Sequence, residues 1–268
     1  AADFVVARHR RRGFATQCRH MKSRFEQKNM GGGFTLLPIF FIPFYEKGVK
    51  MIAICSALDV EYEALCKTFD AKSQNAVAGE WSIGKGNTSP VLLIRSQVGK
   101  TSAEQHARYF LKNHPDISLV ISCGIAGALS PDLKIGDILC GDIVKEHPDK
   151  AEALTLEASG QREAYGLQDG LLSDTSQNGP ASCCKGVIVS SDVMVGEPAL
   201  RDELYRRYSG SCVEMESAGV LRACVESHCS FLAVKVISDY ADNRSLLSIL
   251  RSQRWIMENL AHRLRAAL

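Results

Sequence analysis

The stretch that most limits what this chain can fold into covers residues 212–243 and reads CVEMESAGVLRACVESHCSFLAVKVISDYADN. Within it, Phe231–Ile237 is apolar and rich in β-branched residues apart from Lys235, which is typical of a buried strand of an α/β sheet. The first residues of the stretch are interpreted as the end of a strand, and a helix is predicted from Ser217 to about Glu226. Acidic residues stand before this helix and after this strand, and open α/β sheets bind their ligands at strand ends. The stretch therefore predicts an α/β fold with carboxylates at a ligand site.

The same alternation of strands and helices continues from Met51 to the end of the chain. We expect strands at 51–57, 81–83, 91–96, 117–122, 136–140, 187–191 and 231–237. We expect helices at 58–69, 101–112, 198–208, 217–226 and 245–267. Gly124–Gly127 is interpreted as a tight turn after a strand, and residues 146–185 as polar and irregular. This order predicts a single α/β domain around a mostly parallel sheet.

Residues 1–50 differ from the rest of the chain in charge. They carry ten lysines and arginines against three acidic residues, a net charge of +7, whereas residues 51–268 carry 22 against 27, a net charge of −5. We predict a basic, disordered extension over 1–50 and a domain over 51–268. Residues 46–50 can be encoded by a purine-rich ribosome-binding sequence, so we expect Met51 to be the native start and residues 1–50 to be translated upstream sequence. A basic arm for RNA or a membrane is the alternative.

Composition also limits the compartment and the partners. The mildly acidic body argues against a nucleic-acid partner. The apolar run TLLPIFFIPFY is too short to span a bilayer, and it lacks the cleavage site of a signal peptide. The ten cysteines form no CxxC pair and no zinc-like spacing with histidine, which is typical of a reducing compartment. We expect a cytoplasmic protein with no membrane partner and no metal.

Taken singly, the acidic residues do not define a function. Glu61 lies one turn into a predicted helix, where the helix dipole alone favours an acid. Glu214 and Glu216 flank Met215, so the three side chains cannot all face the same way. Asp239 follows a buried strand, where a helix cap or an Asx turn is an ordinary use of aspartate.

Taken together, these residues lie in motifs of a known family. The segments MIAICSALDVEYEAL, SQVGKTSAEQ, ISCGIAGALSPDLKIGDI, VIVSSDVMV, VEMESAGV and VKVISDYADN occur in that family's order over residues 51–243. They resemble the nucleoside phosphorylase/hydrolase superfamily and, within it, the 5′-methylthioadenosine/S-adenosylhomocysteine nucleosidases. The resemblance implies a single-domain, three-layer α/β/α sandwich around a mixed, mostly parallel sheet. It also implies a purine nucleoside as ligand, no cofactor, and a homodimer.

The resemblance implies a role for individual residues. Asp239, held by Ser238, is the implied general acid that protonates N7 of the leaving purine. Glu61 is implied to position and deprotonate the attacking water. Glu216 is implied to hold the ribose hydroxyls, with Met215 packed against the sugar. The other implied substrate contacts are Glu214, Ile125, Ala126, Gly127, Val193, Met194 and Val195.

The choice between hydrolysis and phosphorolysis depends on cationic side chains. Cleavage of an N-glycosidic bond passes through an oxocarbenium-like state, which carboxylates near the sugar stabilise. Hexameric phosphorylases carry a Gly-Asp-Pro-x-Arg type loop after the first strand and a second arginine before the glycine turn. Here residues 56–61 contain no arginine and Leu119 stands at the second position, so a phosphate dianion lacks a partner and meets Glu61 instead. Hydrolysis is favoured; a phosphate-dependent phosphorylase and a non-catalytic nucleoside-binding domain are the alternatives.

The chain departs from the nucleosidase pattern in three places. Residues 146–185 lack the tyrosine- and histidine-rich insert, Met194 stands where the family has a purine-facing aromatic, and Lys235 stands where arginine is common. Relatives that cleave futalosine or adenosyl-hopanoid nucleosides share the VxMES and ISDxAD signatures. The sequence therefore predicts a purine nucleosidase and favours a 5′-substituted adenosine without excluding those substrates.

Overall fold

The computed structural model describes residues 50–76, 79–87, 89–141, 143–147, 154–157, 171 and 182–268. The prediction of a basic extension over residues 1–50 falls almost wholly outside the described residues and stays a prediction. Most of the segment 146–185, which the sequence predicts to be irregular, lies outside them as well.

Twelve strands of the described chain form one mixed sheet. The strand order is β2-β3-β4-β1-β5-β11-β10-β7-β8, with β12 beside β5 and β6, and β6 also beside β9. Six strand pairings are parallel and five are antiparallel. The strands are β1 (Met51–Ser56), β2 (Gln74–Ala76), β3 (Gly79–Lys85), β4 (Pro90–Arg95), β5 (Ile117–Ala128), β6 (Ile138–Gly141), β7 (Ile143–His147), β8 (Leu154–Glu157), β9 (Cys183–Lys185), β10 (Ile188–Ser191), β11 (Cys212–Glu214) and β12 (Ser230–Asp239).

The centre of the sheet is the long parallel pair β5 and β12. Their register runs from Ser230 opposite Leu119 to Asp239 opposite Gly127. The prediction of a tight turn at Gly124–Gly127 is therefore wrong: β5 continues through these residues because β12 pairs with them along their length. The consequence is functional, because Asp239 is carried on a strand to the edge where the glycines lie.

Five helices cover the described sheet: α1 (Asp59–Thr68), α2 (Lys100–Asn113), α3 (Pro198–Tyr208), α4 (Ser217–Glu226) and α5 (Ser245–Ala267). Residues of α1 and α5 share one hydrophobic core with alternate residues of the central strands, among them Ile121. The next residue, Ser122, points the other way and its Oγ lies 3.0 Å from Ser217 Oγ on α4. Since successive strand residues face opposite sides, helices lie on both faces of the sheet. This confirms the predicted three-layer architecture.

Every predicted helix is present, and the strands missed by the sequence are short. They are β2, β7, β8 and β9, of three to five residues each. The prediction that 146–185 is wholly irregular is wrong, because β8, β9 and the end of β7 lie within it. Runs of three to five residues are too short for a period to identify a strand, as in β8 (LTLE), so pairing with neighbours reveals them. None of the helices in the described part of the chain has the length and apolarity needed to cross a membrane.

Candidate active site

A cavity of about 300 Å³, which we call the main cavity, opens at the carboxyl ends of β1, β5, β10, β11 and β12. This is where parallel sheets place ligands, and the volume suits a small molecule. All twelve residues proposed from the sequence line it: Glu61, Ile125, Ala126, Gly127, Val193, Met194, Val195, Glu214, Met215, Glu216, Ser238 and Asp239. The fold therefore gathers into one place residues that are up to 178 positions apart in the chain.

Glu61 is held at the start of α1 entirely by backbone groups among the described residues. Its Oε2 accepts hydrogen bonds from the N–H groups of Ala57 and Leu58, both at 2.9 Å, and its Oε1 accepts one from Ile125 at 2.8 Å. The bond from the Leu58 N–H caps the helix. The alternative that Glu61 serves the start of the helix is therefore correct in part. Burial raises the pKa of this carboxyl, against the lowering effect of these bonds and of the Lys235 charge.

Gly124 explains how Glu61 can approach β5. A Cβ at this position would lie 2.6 Å from Glu61 Oε1, which is closer than real Cβ contacts allow. Gly127 has the matching role for the other acid, because a Cβ there would lie 3.0 Å from Asp239 Oδ1. The two glycines therefore leave room for the carboxylates to approach the strand closely, and they do not form a turn.

Asp239 is buried at the end of β12. Ser238 Oγ donates to Asp239 Oδ2 at 2.6 Å, and the Ala241 N–H donates to Oδ1 at 2.8 Å. Ala241 itself has a positive φ of 48°, and the bond from its N–H forms the Asx-type turn that the sequence offered as an alternative. The carboxyl is thus oriented by a turn, and it also lines the cavity.

Glu214 also lines the cavity, but it belongs to a closed polar cluster at the same edge of the sheet. Lys235 Nζ lies 2.8 Å from Glu214 Oε2, and both side chains are almost fully buried. Ser190 Oγ and Ser217 Oγ also donate to this carboxylate. Burial acts to raise the pKa of Glu214, but the Lys235 charge and these bonds outweigh it and hold the pKa below its usual range. The pKa of Lys235 is raised by Glu214 and Glu216 despite its burial.

Glu216 has a different environment although it is only two residues away. Its Oε1 accepts from the Gly99 N–H at 3.0 Å and its Oε2 from the Met215 N–H at 3.2 Å. Burial, the nearby charge of Glu214 and a smaller contribution from Glu61 raise the pKa of Glu216 to about 7, against the lowering effect of Lys235. Glu216 is therefore poised between its ionised and neutral forms near neutral pH.

The rest of the wall is apolar, and one part of it is a loop anchored by a buried lysine. Val195 is buried, while Val193 and Met194 are about half exposed. The loop begins at Asp192, whose carboxylate lies 2.8 Å from Lys100 Nζ. Lys100 is itself buried and also pairs with Glu146 at 2.9 Å. The Asp192 carboxylate is exposed, but its partner Lys100 is fixed by burial and by Glu146, which favours a fixed position for the start of the loop.

Five further residues line the cavity and were not proposed from the sequence: Ala57, Leu58, Val98, Val213 and Ile249. Ala57 and Leu58 lie four and three residues before Glu61 and donate to its carboxylate, and Val98 lies in a segment that carries the family resemblance. Ile249 comes from α5, and no local pattern indicates its position. Among the described residues, no three His, Cys, Asp or Glu side chains are arranged to hold a metal ion.

These features define a class of protein. It is an α/β protein with a small-molecule cavity at the carboxyl ends of its strands, where acids face an otherwise apolar wall. The family model described as the phosphorylase superfamily matches residues 51–268, and the chain belongs to that superfamily.

Solved structures show the same fold at low sequence identity. A futalosine hydrolase mutant of Helicobacter pylori is 22% identical, with a TM-score of 0.70 over 82% of this chain and 98% of its own. A 5′-methylthioadenosine/S-adenosylhomocysteine nucleosidase mutant of the same organism, with 5′-methylthioadenosine in its active site, is 22% identical, with a TM-score of 0.71 over the same shares. The nucleosidase of Neisseria meningitidis, with methylthio-immucillin-A, is 21% identical, with a TM-score of 0.72 over 82% and 98%.

Proposed function

We propose that this protein hydrolyses the N-glycosidic bond of a purine nucleoside, releasing the base and a ribose derivative. The favoured substrates are 5′-substituted adenosines such as 5′-methylthioadenosine or S-adenosylhomocysteine. The observation that carries the proposal is the convergence of Asp239, Glu61 and Glu216 on one largely apolar cavity of about 300 Å³. Solved structures of the same fold that hold 5′-methylthioadenosine or methylthio-immucillin-A support this choice of substrate class.

In the proposed reaction the bond between C1′ and N9 breaks, and its electron pair goes to the purine. The purine accepts a proton at N7 from Asp239, whose carboxyl is oriented by Ser238 and by the Ala241 N–H. A water molecule adds to C1′ and gives its proton to Glu61. General acid or base catalysis of this kind typically contributes ~10²–10⁴ in rate.

The sugar becomes positively charged in the transition state, so carboxylates beside it lower its energy. Glu216 is the proposed partner of the ribose hydroxyls, with Met215 against the sugar. The backbone of Val193–Val195 is the proposed contact of the purine edge. The loop's anchor, the pair between Lys100 and Asp192, supports a fixed position for that contact.

The charges support water over phosphate as the nucleophile. Among the described residues that line the main cavity there is no lysine or arginine. The nearest buried cation of the cluster, Lys235, is already paired with Glu214 at 2.8 Å. A phosphate dianion in the cavity would meet carboxylates without a free cation to offset them.

Adenine release from 5′-methylthioadenosine by the purified full chain, with and without phosphate, tests the proposal. We expect release in phosphate-free buffer together with the free sugar. Release only with phosphate, together with a sugar 1-phosphate, would establish a phosphorylase instead. If 5′-methylthioadenosine, S-adenosylhomocysteine and futalosine all bind without turnover, the protein is a nucleoside-binding domain.

The remaining expectations from the sequence are proposals of the same standing. A homodimer, a cytoplasmic location and the absence of a cofactor follow from the resemblance and the composition. Sedimentation of the purified protein tests the dimer, and turnover after treatment with a chelator tests whether a metal is needed.

A further inference from the structure

A second, smaller cavity shares part of its wall with the main one. Ala57, Glu61 and Glu216 line both cavities. The volume of the second cavity is about 10 Å³, roughly the space that one water molecule needs. Its other polar side chains are three hydroxyls, one amine and two thiols, from Ser56, Ser96, Ser122, Lys235, Cys55 and Cys123.

Ser56 belongs to this wall, and among the described residues its hydroxyl makes no hydrogen bond at all. The residue is 2% exposed, and its Oγ has no hydrogen-bond partner among the described residues. Ser96 Oγ bonds to the Ser56 carbonyl, and Ser122 Oγ bonds to Ser217 and Lys235. Because buried hydroxyls almost always have a partner, the unpartnered Ser56 hydroxyl points to a bound molecule in this cavity.

The neighbouring groups have the capacity to complete such a site. Lys235 Nζ carries three donors, and the described structure uses two of them, toward Glu214 Oε2 and Ser122 Oγ. The Glu61 carboxylate accepts three backbone bonds and has room for about one more. A water here can accept from Lys235, donate to Glu61 and bond to Ser56, which makes the three bonds typical of a buried water.

We propose that this cavity is a water site built by Ser56, and that Ser56 is a positioning residue that acts on Glu61 through the water. The site is distinct from the place where the attacking water reacts, because neither Ser56 nor Lys235 lines the main cavity. A hydrogen bond donated by the water favours the ionised carboxylate, which is the form that can accept a proton. The catalytic half of this inference rests on the proposed function, whereas the water site itself does not.

The water site is tested by the stability of the Ser56→Ala variant of the full chain in urea. If a water satisfies the hydroxyl, alanine removes a hydrogen bond and lowers the unfolding midpoint. If the hydroxyl has no partner, alanine removes an unsatisfied polar group and raises the midpoint, which overturns the proposal. Ser118→Ala, at a half-buried serine on β5, is the matched control. A crystal structure at high resolution should show density for a water within hydrogen-bonding distance of Ser56 Oγ, and an empty cavity would also overturn the proposal.

The effect on Glu61 is tested by the pH profile of turnover. Without the water-mediated bond the ionised form of Glu61 is less favoured, so Ser56→Ala should move the acidic limb of kcat to higher pH. On that limb we expect kcat to fall about tenfold with KM unchanged, the size expected of one hydrogen bond to a carboxylate. Ser56→Thr keeps the hydroxyl and should retain the wild-type profile. An unshifted limb in Ser56→Ala rejects the positioning role.

The two tests separate the two ways in which the inference can fail. A wild-type protein without nucleosidase turnover contradicts the proposed function, and the urea midpoints still decide whether Ser56 binds a water. An active wild type with a raised midpoint in Ser56→Ala keeps the proposed function and rejects the water site.

Discussion

Two groups of acids lie at the same edge of the sheet, yet their surroundings differ. Glu214 is enclosed by Lys235 and two serine hydroxyls, so its charge is neutralised where it stands. The described partners of Glu61, Glu216 and Asp239 are backbone N–H groups and the Ser238 hydroxyl, with no cation among them. We call the first group the closed cluster and the second the open wall.

The difference shows how one sheet edge can combine stability with chemistry. In the closed cluster, the Lys235 charge and the hydrogen bonds to the carboxylate together outweigh burial, and the pKa of Glu214 is lowered. On the open wall, burial dominates and raises the pKa values of Glu61 and Glu216. A carboxylate paired with a lysine stays ionised and holds strands together, whereas one with a raised pKa can exchange protons near neutral pH.

The largest effect is expected on the open wall, from Asp239→Asn. This change removes the proposed proton donor and keeps the shape of the side chain, so turnover should fall by ~10²–10⁴. Ligand binding, measured by calorimetry with 5′-methylthioadenosine, should persist because the rest of the cavity is unchanged. The unfolding midpoint in urea should move little.

The control for this variant is Asp202→Asn on the exposed surface of α3, for which we expect wild-type turnover. If Asp239→Asn turns over at the wild-type rate, Asp239 is not the general acid. If Asp239→Asn loses both turnover and ligand binding, the substitution has changed the shape of the cavity. That result would contradict a role for Asp239 that is limited to proton transfer.

The closed cluster should respond in stability, through Lys235→Met. Removing one partner of a buried ion pair leaves Glu214 buried and uncompensated, which costs about 3–5 kcal/mol of unfolding free energy. The matched control is Lys67→Met. Its pair with Glu258 at 2.9 Å lies on an exposed surface and is worth about 0–1 kcal/mol.

A second substitution sharpens this test. Adding Glu214→Gln to Lys235→Met removes the unpaired charge, so the double variant should recover part of the lost stability in urea unfolding. Equal losses in Lys235→Met and Lys67→Met would mean that the closed cluster does not stabilise the fold.

Features formed by residues close together in the chain could be predicted from the sequence, whereas contacts between distant strands could not. Glu214, Met215 and Glu216 form one local motif, and Asp239 follows a visible buried strand, so these positions could be read directly. The sequence also indicated that strand ends would meet, because helices and strands alternate. Their individual roles remain predictions.

The pairing of Lys235 with Glu214 could not be read from the sequence. The two residues lie on β12 and β11, which in the described part of the sheet are both paired with β5 and not with each other, and periodicity contains no information about which strands share a neighbour. The role of the β5 glycines could not be read either, because the sequence does not show which side chain approaches them in the fold. A glycine needed for close approach of a carboxylate has the same local pattern as a glycine needed for a turn.

The third prediction concerns pH and Glu216. Its pKa is about 7 in the folded protein against 4.5 as the ordinary value, so the folded state holds this proton more tightly. Stability from this group is therefore present below about pH 4.5 and is lost as the pH rises through 7. Glu216→Gln cannot titrate, so at pH 8 it should be more stable than the wild type by about 1–3 kcal/mol, with little difference at pH 4.

Urea midpoints at the two pH values measure this difference. Glu203→Gln, at an exposed position of α3, serves as the control for a general effect of removing an acid. If the difference in urea midpoint between Glu216→Gln and the wild type is the same at pH 4 and pH 8, the pKa of Glu216 is not raised in the folded protein. The contrast between Glu216 and Glu214 would then be wrong.

The smallest effects, and the most direct contrast, are expected from the same substitution in each group. Ser190 and Ser238 are both fully buried, and each donates its hydroxyl proton to a carboxylate, Glu214 in the cluster and Asp239 on the wall. Alanine at either position removes one such bond and should cost about 1–3 kcal/mol of stability. Only Ser238→Ala should lower kcat, by about tenfold, because only Asp239 has to be oriented toward the leaving purine. Equal kcat values in the two variants would show that the hydroxyl on the wall is structural, like its counterpart in the cluster.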